Sequence, residues 1–243
     1  MATLTIKSDI NELAQTAAKL VAQQLNDAIT ASGSAVWVLA GGTAPMGAYA
    51  ILARDYRDRI DWAHVTVLLG DERCVPTHHP DSNWYQISQT LLDHVPIAER
   101  NKLRPSYELA ADEAAQAYEA AVKRLVTNDD GIPHFDVVWL GMGEDGHTLS
   151  LFPAHAGLKN TEQLVISIHD SPKPPPDRIS LTLNALQNVS HCTVMAAGSG
   201  KAGIIAQAMR PDTTLPIVQA VQTIENNGAQ VMWLLDTAAA EQL

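Results

Sequence analysis

The sequence predicts an α/β fold built on a doubly wound, mainly parallel sheet flanked by helices. Two observations carry that expectation: short apolar runs that stop at glycine, and amphipathic helical stretches lying between them. The runs are continuous rather than alternating, as expected of strands covered on both faces.

Taken in order, Asp9 precedes a helical pattern through Leu13, Ala17, Leu20, Val21 and Leu25. Ala35-Val36-Trp37-Val38-Leu39-Ala40 then reads as a buried strand stopped by Gly41-Gly42, with a second helix from Pro45 toward Arg54. The unit recurs in Val65-Thr66-Val67-Leu68-Leu69 before Gly70, in the 135–140 strand before Gly141, and in the 192–197 strand before Gly198. Residues 230–235 supply a last strand, and helical patterns fall around 83–94, 112–126 and 201–209. Right-handed crossovers are expected throughout. Pro172-Lys173-Pro174-Pro175-Pro176 reads as an extended surface loop that frames a site.

At 243 residues, with no internal repeat or composition shift, the chain is expected to form one domain over residues 1–243. Two cysteines, Cys74 and Cys192, point to a reduced cytosolic protein rather than a disulfide framework. A charge of −11 with only 16 Lys and Arg opposes binding to nucleic acid or an anionic membrane. Neither a signal-peptide pattern nor an apolar run long enough to span a bilayer is present, so a soluble, cytoplasmic protein is expected. The oligomeric state stays open, a monomer being the simpler expectation.

Three loops at predicted strand ends carry the chemistry, because ligands of open α/β sheets bind there. Ala40-Gly41-Gly42-Thr43-Ala44-Pro45 offers backbone N–H groups and a hydroxyl at a helix start, which is either an anion site or an ordinary turn. Gly70-Asp71-Glu72-Arg73-Cys74-Val75-Pro76 sets two carboxylates and a guanidinium past an apolar strand, either exposed in a cleft or joined as a plain ion pair. Asp81-Ser82-Asn83 then reads as a helix cap.

The third loop, Leu140-Gly141-Met142-Gly143-Glu144-Asp145-Gly146-His147-Thr148, is the most informative segment. Its glycines permit close backbone approach, and Asp145 can fix one tautomer of His147 while the other nitrogen takes a proton from water. The alternative is a loop histidine capping backbone groups. Arg178 and Lys201 each offer either a phosphate clamp or a solvated charge. His78-His79-Pro80-Asp81 lacks the spacing of a metal site, and no metal is expected.

Together, Gly41-Gly42-Thr43, the 70–76 loop with Asp81-Ser82-Asn83, the 140–148 loop with Ser150-Leu151-Phe152-Pro153, Arg178-Ile179-Ser180-Leu181-Thr182, Gly200-Lys201-Ala202 and Trp233-Leu234-Leu235-Asp236 resemble the 6-phosphogluconolactonase family over nearly the whole chain. The resemblance implies a Rossmann-like fold of the sugar-phosphate isomerase and deaminase-like superfamily, no cofactor, and a small phosphorylated sugar lactone as substrate. It implies hydrolysis of 6-phosphoglucono-δ-lactone in the oxidative pentose phosphate pathway without a covalent intermediate. In that reading His147 activates water, Asp145 orients it, Asp71 and Arg73 sit against the sugar and the reacting carboxyl, and Gly41, Gly42, Thr43, Arg178 and Lys201 hold phosphate. Ala44 departs from the hydroxyl residue usual at that position of the family's first loop, which removes one donor to the phosphate. The related glucosamine-6-phosphate deaminases carry a glutamate where Phe152 stands and an aromatic residue where Arg73 stands. A sugar-phosphate sensor of this architecture would carry a DNA-binding motif ahead of the domain, which the sequence lacks.

Overall fold

The computed structural model describes residues 2–126 and 131–243. The chain runs β1 (Thr3–Lys7), α1 (Ile10–Ser32), β2 (Ala35–Leu39), α2 (Thr43–Asp55), β3 (Val65–Leu69), β4 (Asp71–Arg73), α3 (Asn83–Ile87) and β5 (Lys102–Leu103). It continues with α4 (Ala111–Lys123), β6 (Phe135–Gly141), β7 (Val165–Ile168), β8 (Arg178–Leu181), β9 (Val189–Ala196), α5 (Ala202–Ala208), α6 (Pro216–Asn226) and β10 (Gln230–Asp236). The predicted doubly wound α/β architecture is present, with β1, β4, β5, β7, β8 and α6 in addition to the elements expected. No helix among the described residues is long and apolar enough to cross a membrane.

Seven strands form one sheet in the order β1-β10-β9-β6-β2-β3-β5, and every pairing in it is parallel. Its central strands are buried on both faces, which explains their continuous apolar sequence. Trp37, Leu39, Val67, Leu69, Val137 and Trp139 meet α1 and α2 on one side, while Val38, Leu68, Val138 and Leu140 join the core with α4 and α6 on the other. The first helix shows how local sequence supports this packing. Asp9 accepts from the N–H groups of Asn11 and Glu12, and Leu13, Ala17, Val21 and Leu25 form the buried stripe.

The chain leaves β2 toward β3 and β5, then returns to place β6 on the other side of β2. The carboxyl ends of β2 and β6 therefore flank the point where the winding reverses, the crevice in which such sheets bind ligands. Two buried tyrosines tie down the ends of β2 and β3. The Tyr49 hydroxyl donates to Ala40 O at 3.0 Å, and that of Tyr118 to Leu69 O at 2.7 Å.

A second, antiparallel sheet, β4-β8-β7, starts one residue beyond β3. Side chains alternate along a strand, so Asp71 and Arg73 share one face of β4 and Glu72 takes the other. Glu72 is 1 % exposed and accepts from five donors: the backbone N–H of Arg73 (2.7 Å), Asn83 (2.8 Å) and Trp84 (2.8 Å), and the hydroxyls of Ser82 (2.9 Å) and Tyr107 (2.9 Å). Burial pushes its carboxyl up, and these donors pull it back. Ser82 Oγ in turn accepts from Tyr85 N–H, so the expected cap at 81–83 is formed.

Glu72→Ala is expected to destabilise the fold by about 3 kcal/mol or more, because three backbone N–H groups lose their acceptor inside the protein. Glu72→Gln keeps one acceptor oxygen and should cost less. Urea unfolding measures both, and a Glu72→Ala loss below about 1 kcal/mol would remove this carboxylate from the framework.

Candidate active site

At the reversal point lies a cleft of about 430 Å³. Of the residues singled out from sequence, Gly41, Gly42, Thr43, Asp71, Arg73, His147, Arg178 and Lys201 all line it. Asp145 stands behind His147, outside the lining.

The first wall is the start of α2. Gly42 precedes it with φ of 88°, a left-handed conformation that costs glycine little and sends the chain into the helix within one residue. A helix of this length leaves unpaired N–H groups and a positive dipole end at Thr43, facing the cleft.

The second wall comes from β4 and β8. Asp71 pairs with Ser180, and Arg73 lies directly opposite Arg178. Neither carboxylate of the 71–73 segment forms an ion pair with Arg73 among the described residues. Asp71 Oδ2 accepts instead from the buried Ser150 hydroxyl at 2.6 Å. Arg73 donates from Nη1 to Asp81 O at 2.5 Å, while its buried Nε has no partner among the described residues. Arg178 is 4 % exposed and donates from Nε to Pro175 O (2.8 Å) and from Nη2 to Lys173 O (3.0 Å) and Pro174 O (3.2 Å). It therefore holds the proline loop in shape as well as charging the cleft.

The third wall is the loop after β6. Gly143 N–H donates to His147 O at 2.8 Å, and Thr148 Oγ1 donates to Gly141 O at 2.8 Å, which folds the loop back on its own strand. A β-carbon on Gly143 would collide with the His147 ring and the Asp145 carboxylate, so only glycine lets them pack this closely. Asp145 Oδ1 lies 2.5 Å from His147 Nδ1. A carboxylate can only accept, so Nδ1 carries the hydrogen and Nε2 keeps its lone pair.

Phe152 is buried against the imidazole, with ring centroids 4.6 Å apart. Burial pulls His147 below the usual histidine range, and the Asp145 hydrogen bond acts against it. Burial alone would raise Asp145, but its contacts with His147 and the Lys173 charge outweigh that and leave it lowered.

Lys201 closes the cleft beside β9. The Gly198 N–H ahead of it donates to the buried Asp236 carboxylate at 3.0 Å, which also accepts from Ala239 N–H at 2.8 Å. Burial pulls the Lys201 ammonium down from its ordinary range, and Glu144 acts against that. Sequence reading missed Lys173, Glu144 and Asn83, which also line the cleft, and the positioning contacts of Ser150 and Asp236. Lys173 sat in a segment read as a loop frame, and only its cationic end between prolines marked it out.

Comparison with known proteins agrees with this architecture. A profile of the family described as glucosamine-6-phosphate isomerases/6-phosphogluconolactonase matches residues 8–233. The chain is 40 % identical over 250 residues to a 6-phosphogluconolactonase of Streptomyces coelicolor, covering 99 % of this chain and 94 % of that one. It is 35 % identical to a 6-phosphogluconolactonase of Mycobacterium leprae, over 100 % of this chain and 98 % of that one. A solved 6-phosphogluconolactonase from Shewanella baltica superposes with a TM-score of 0.79 at 28 % identity, over 96 % of this chain and 97 % of that one. A monomeric glucosamine-6-phosphate deaminase shares the fold, with a TM-score of 0.79 at 18 % identity and coverage of 99 % and 100 %. The chain belongs to the glucosamine-6-phosphate isomerase/6-phosphogluconolactonase family.

Proposed function

We propose that this protein is a 6-phosphogluconolactonase, hydrolysing 6-phosphoglucono-δ-lactone to 6-phosphogluconate in the oxidative pentose phosphate pathway of the cytoplasm. The observation that carries the reading is a single cleft that gathers Arg73, Arg178, Lys173 and Lys201 around an imidazole in a chain of charge −11. Such a cleft suits a small anion with a hydrolysable carbonyl.

In this reading His147 Nε2 takes a proton from water, and the resulting oxygen adds to the lactone carbonyl. Asp145 keeps Nδ1 protonated and stabilises the imidazolium. Charge developing on the carbonyl oxygen is met by Arg73, whose buried Nε is unpartnered among the described residues, or by backbone N–H groups. When the ring C–O bond breaks, the proton held by His147 goes to the departing ring oxygen, so proton and charge balance without a covalent intermediate. The α2 start with Gly41, Gly42 and Thr43, together with Lys201 and Arg178, holds the phosphate. Asp71, fixed by Ser150, meets sugar hydroxyls.

The chemistry asks for neither metal nor cofactor, since a protein base and fixed cations supply each step. Phe152 supports hydrolysis over deamination. It fills the position of the deaminases' glutamate with an apolar ring against His147, where no proton can be shuttled. The two sheets joined through Gly70 support one domain over residues 1–243.

Hydrolysis of freshly made lactone, coupled to 6-phosphogluconate dehydrogenase, tests the assignment. His147→Ala should lower kcat by about two to four orders of magnitude with KM little changed. A near-normal kcat would take His147 out of the chemistry. Because His147 must be neutral and burial lowers its pKa, kcat/KM should hold as pH falls past the ordinary histidine value of about 6.5 and decline only below it. A decline that begins above that value contradicts the proposed base. Lys201→Ala should raise KM about 10- to 100-fold with kcat little changed, as for a phosphate contact made before and during reaction. A fall in kcat alone would move Lys201 from the phosphate to the reacting carbonyl.

A further inference from the structure

The loop ahead of β8 carries a cation to which the steps above give no part. Lys173 Nζ lies 3.4 Å from Asp145 Oδ1. The same oxygen faces His147 Nδ1 at 2.5 Å and the His147 backbone N–H at 3.4 Å. A carboxylate oxygen has two lone-pair sites, so three donors overfill it. The two His147 donors are fixed because His147 lies only two residues beyond Asp145 in the same loop, whereas the ammonium arrives on a flexible four-carbon stem. The ammonium is the contact most readily released.

The backbone beneath it is fixed. Lys173 O accepts from Arg178 Nη2 at 3.0 Å and from Ser171 Oγ at 2.8 Å. A rigid base thus presents a mobile cationic tip to the cleft, beside the carboxylate that orients the imidazole.

We propose that Lys173 is a positioning residue for the Asp145–His147 pair: it shares Asp145 Oδ1 with the imidazole in the open cleft and passes to an anionic ligand when one binds, leaving Asp145 to His147 alone. The proposal rests on the lactonase reading in taking His147 as the base. While the ammonium sits on Asp145, its charge opposes protonation of His147 and keeps the base ready. Once it moves to the phosphate or the nascent carboxylate, the full carboxylate is available to the imidazolium that forms in the transition state. The stabilisation is thereby directed to the transition state rather than to the empty enzyme.

The other acidic group facing His147 is Asp71 from β4, whose charge also favours the imidazolium. Arg73, Arg178, Lys201 and Glu144 line the remainder of the cleft. Among the described residues, only Lys173 contacts Asp145 from outside the 140–148 loop.

The test is an NMR titration of the His147 imidazole in the full chain, with Lys173→Gln and Lys173→Arg beside wild type. Lys173→Gln should titrate at higher pH than wild type, and Lys173→Arg should return toward it. Saturating 6-phosphogluconate should raise the wild-type midpoint by more than it raises that of Lys173→Gln. An unmoved midpoint in Lys173→Gln, or equal ligand-induced shifts in both proteins, overturns the proposal.

In the lactonase assay, the acidic limb of kcat/KM should move to higher pH in Lys173→Gln. Its loss should then be several-fold larger at about pH 6 than at about pH 8. A pH-independent rise in KM alone would make Lys173 an ordinary anion contact and overturn its positioning role. A wild-type protein without turnover would sink the lactonase reading separately, and the titration of free protein would still decide whether Lys173 and His147 are coupled through Asp145.

Discussion

Glu72 is a buried carboxylate on a three-residue strand whose other two residues are also charged, and the direction in which it points governs the cleft. Alternation along β4 means that turning Glu72 inward, onto five donors of which Ser82, Asn83 and Trp84 stand at the start of α3, necessarily turns Asp71 and Arg73 outward to the ligand side. The same alternation, carried across the ladder, brings Arg73 face to face with Arg178. Like charges directly opposite each other repel. The pair is tolerated because each guanidinium has its own carbonyl acceptors, and an anion seated between them would relieve what repulsion is left.

Local and global charge therefore have opposite signs. At physiological ionic strength the field of exposed acidic residues fades over about 8 Å, whereas cations set in low-dielectric walls are screened less. A small anion in bulk solution meets a surface of weak average repulsion, and within the cleft it meets concentrated positive potential. Desolvation gives the walls a second effect: it weakens the hold of Lys201 and His147 on their protons, so both sit closer to neutrality than they would in water.

Much of this was legible in the sequence wherever a residue's environment is set by its near neighbours. The central strands are covered on both faces, so their apolar runs announce them, and the glycines that end them mark the ligand-binding edge. β4 was not legible, because Asp-Glu-Arg has poor strand propensity and is held by a partner strand and by Glu72 rather than by its own pattern. β1 alternates at a sheet edge with Leu4 and Ile6 exposed, a faint signal, and α6 is marked in the sequence by little more than Pro216 at its start. At the site, Asp145 and His147 are two residues apart and could be paired on paper. Ser150 and Asp71 are 79 positions apart, and Lys173 and Asp145 are 28 apart, so their contacts exist only once both sheets are in place.

The order of the strands also governs how the molecule can be made. Among the described residues β1 pairs only with β10, and Thr3 hydrogen-bonds to a carbonyl 228 positions later. β10 in turn reaches the rest of the sheet through β9. During synthesis the segment from β2 to β6 can assemble its core while β1 waits without a partner until β10 has been made. Contacts of such long sequence separation form slowly, because loop closure must come before any pairing energy is gained. β1 is therefore the strand most exposed to wrong partners while the protein is still young, and its shortness, together with Lys7 at its end, limits that exposure.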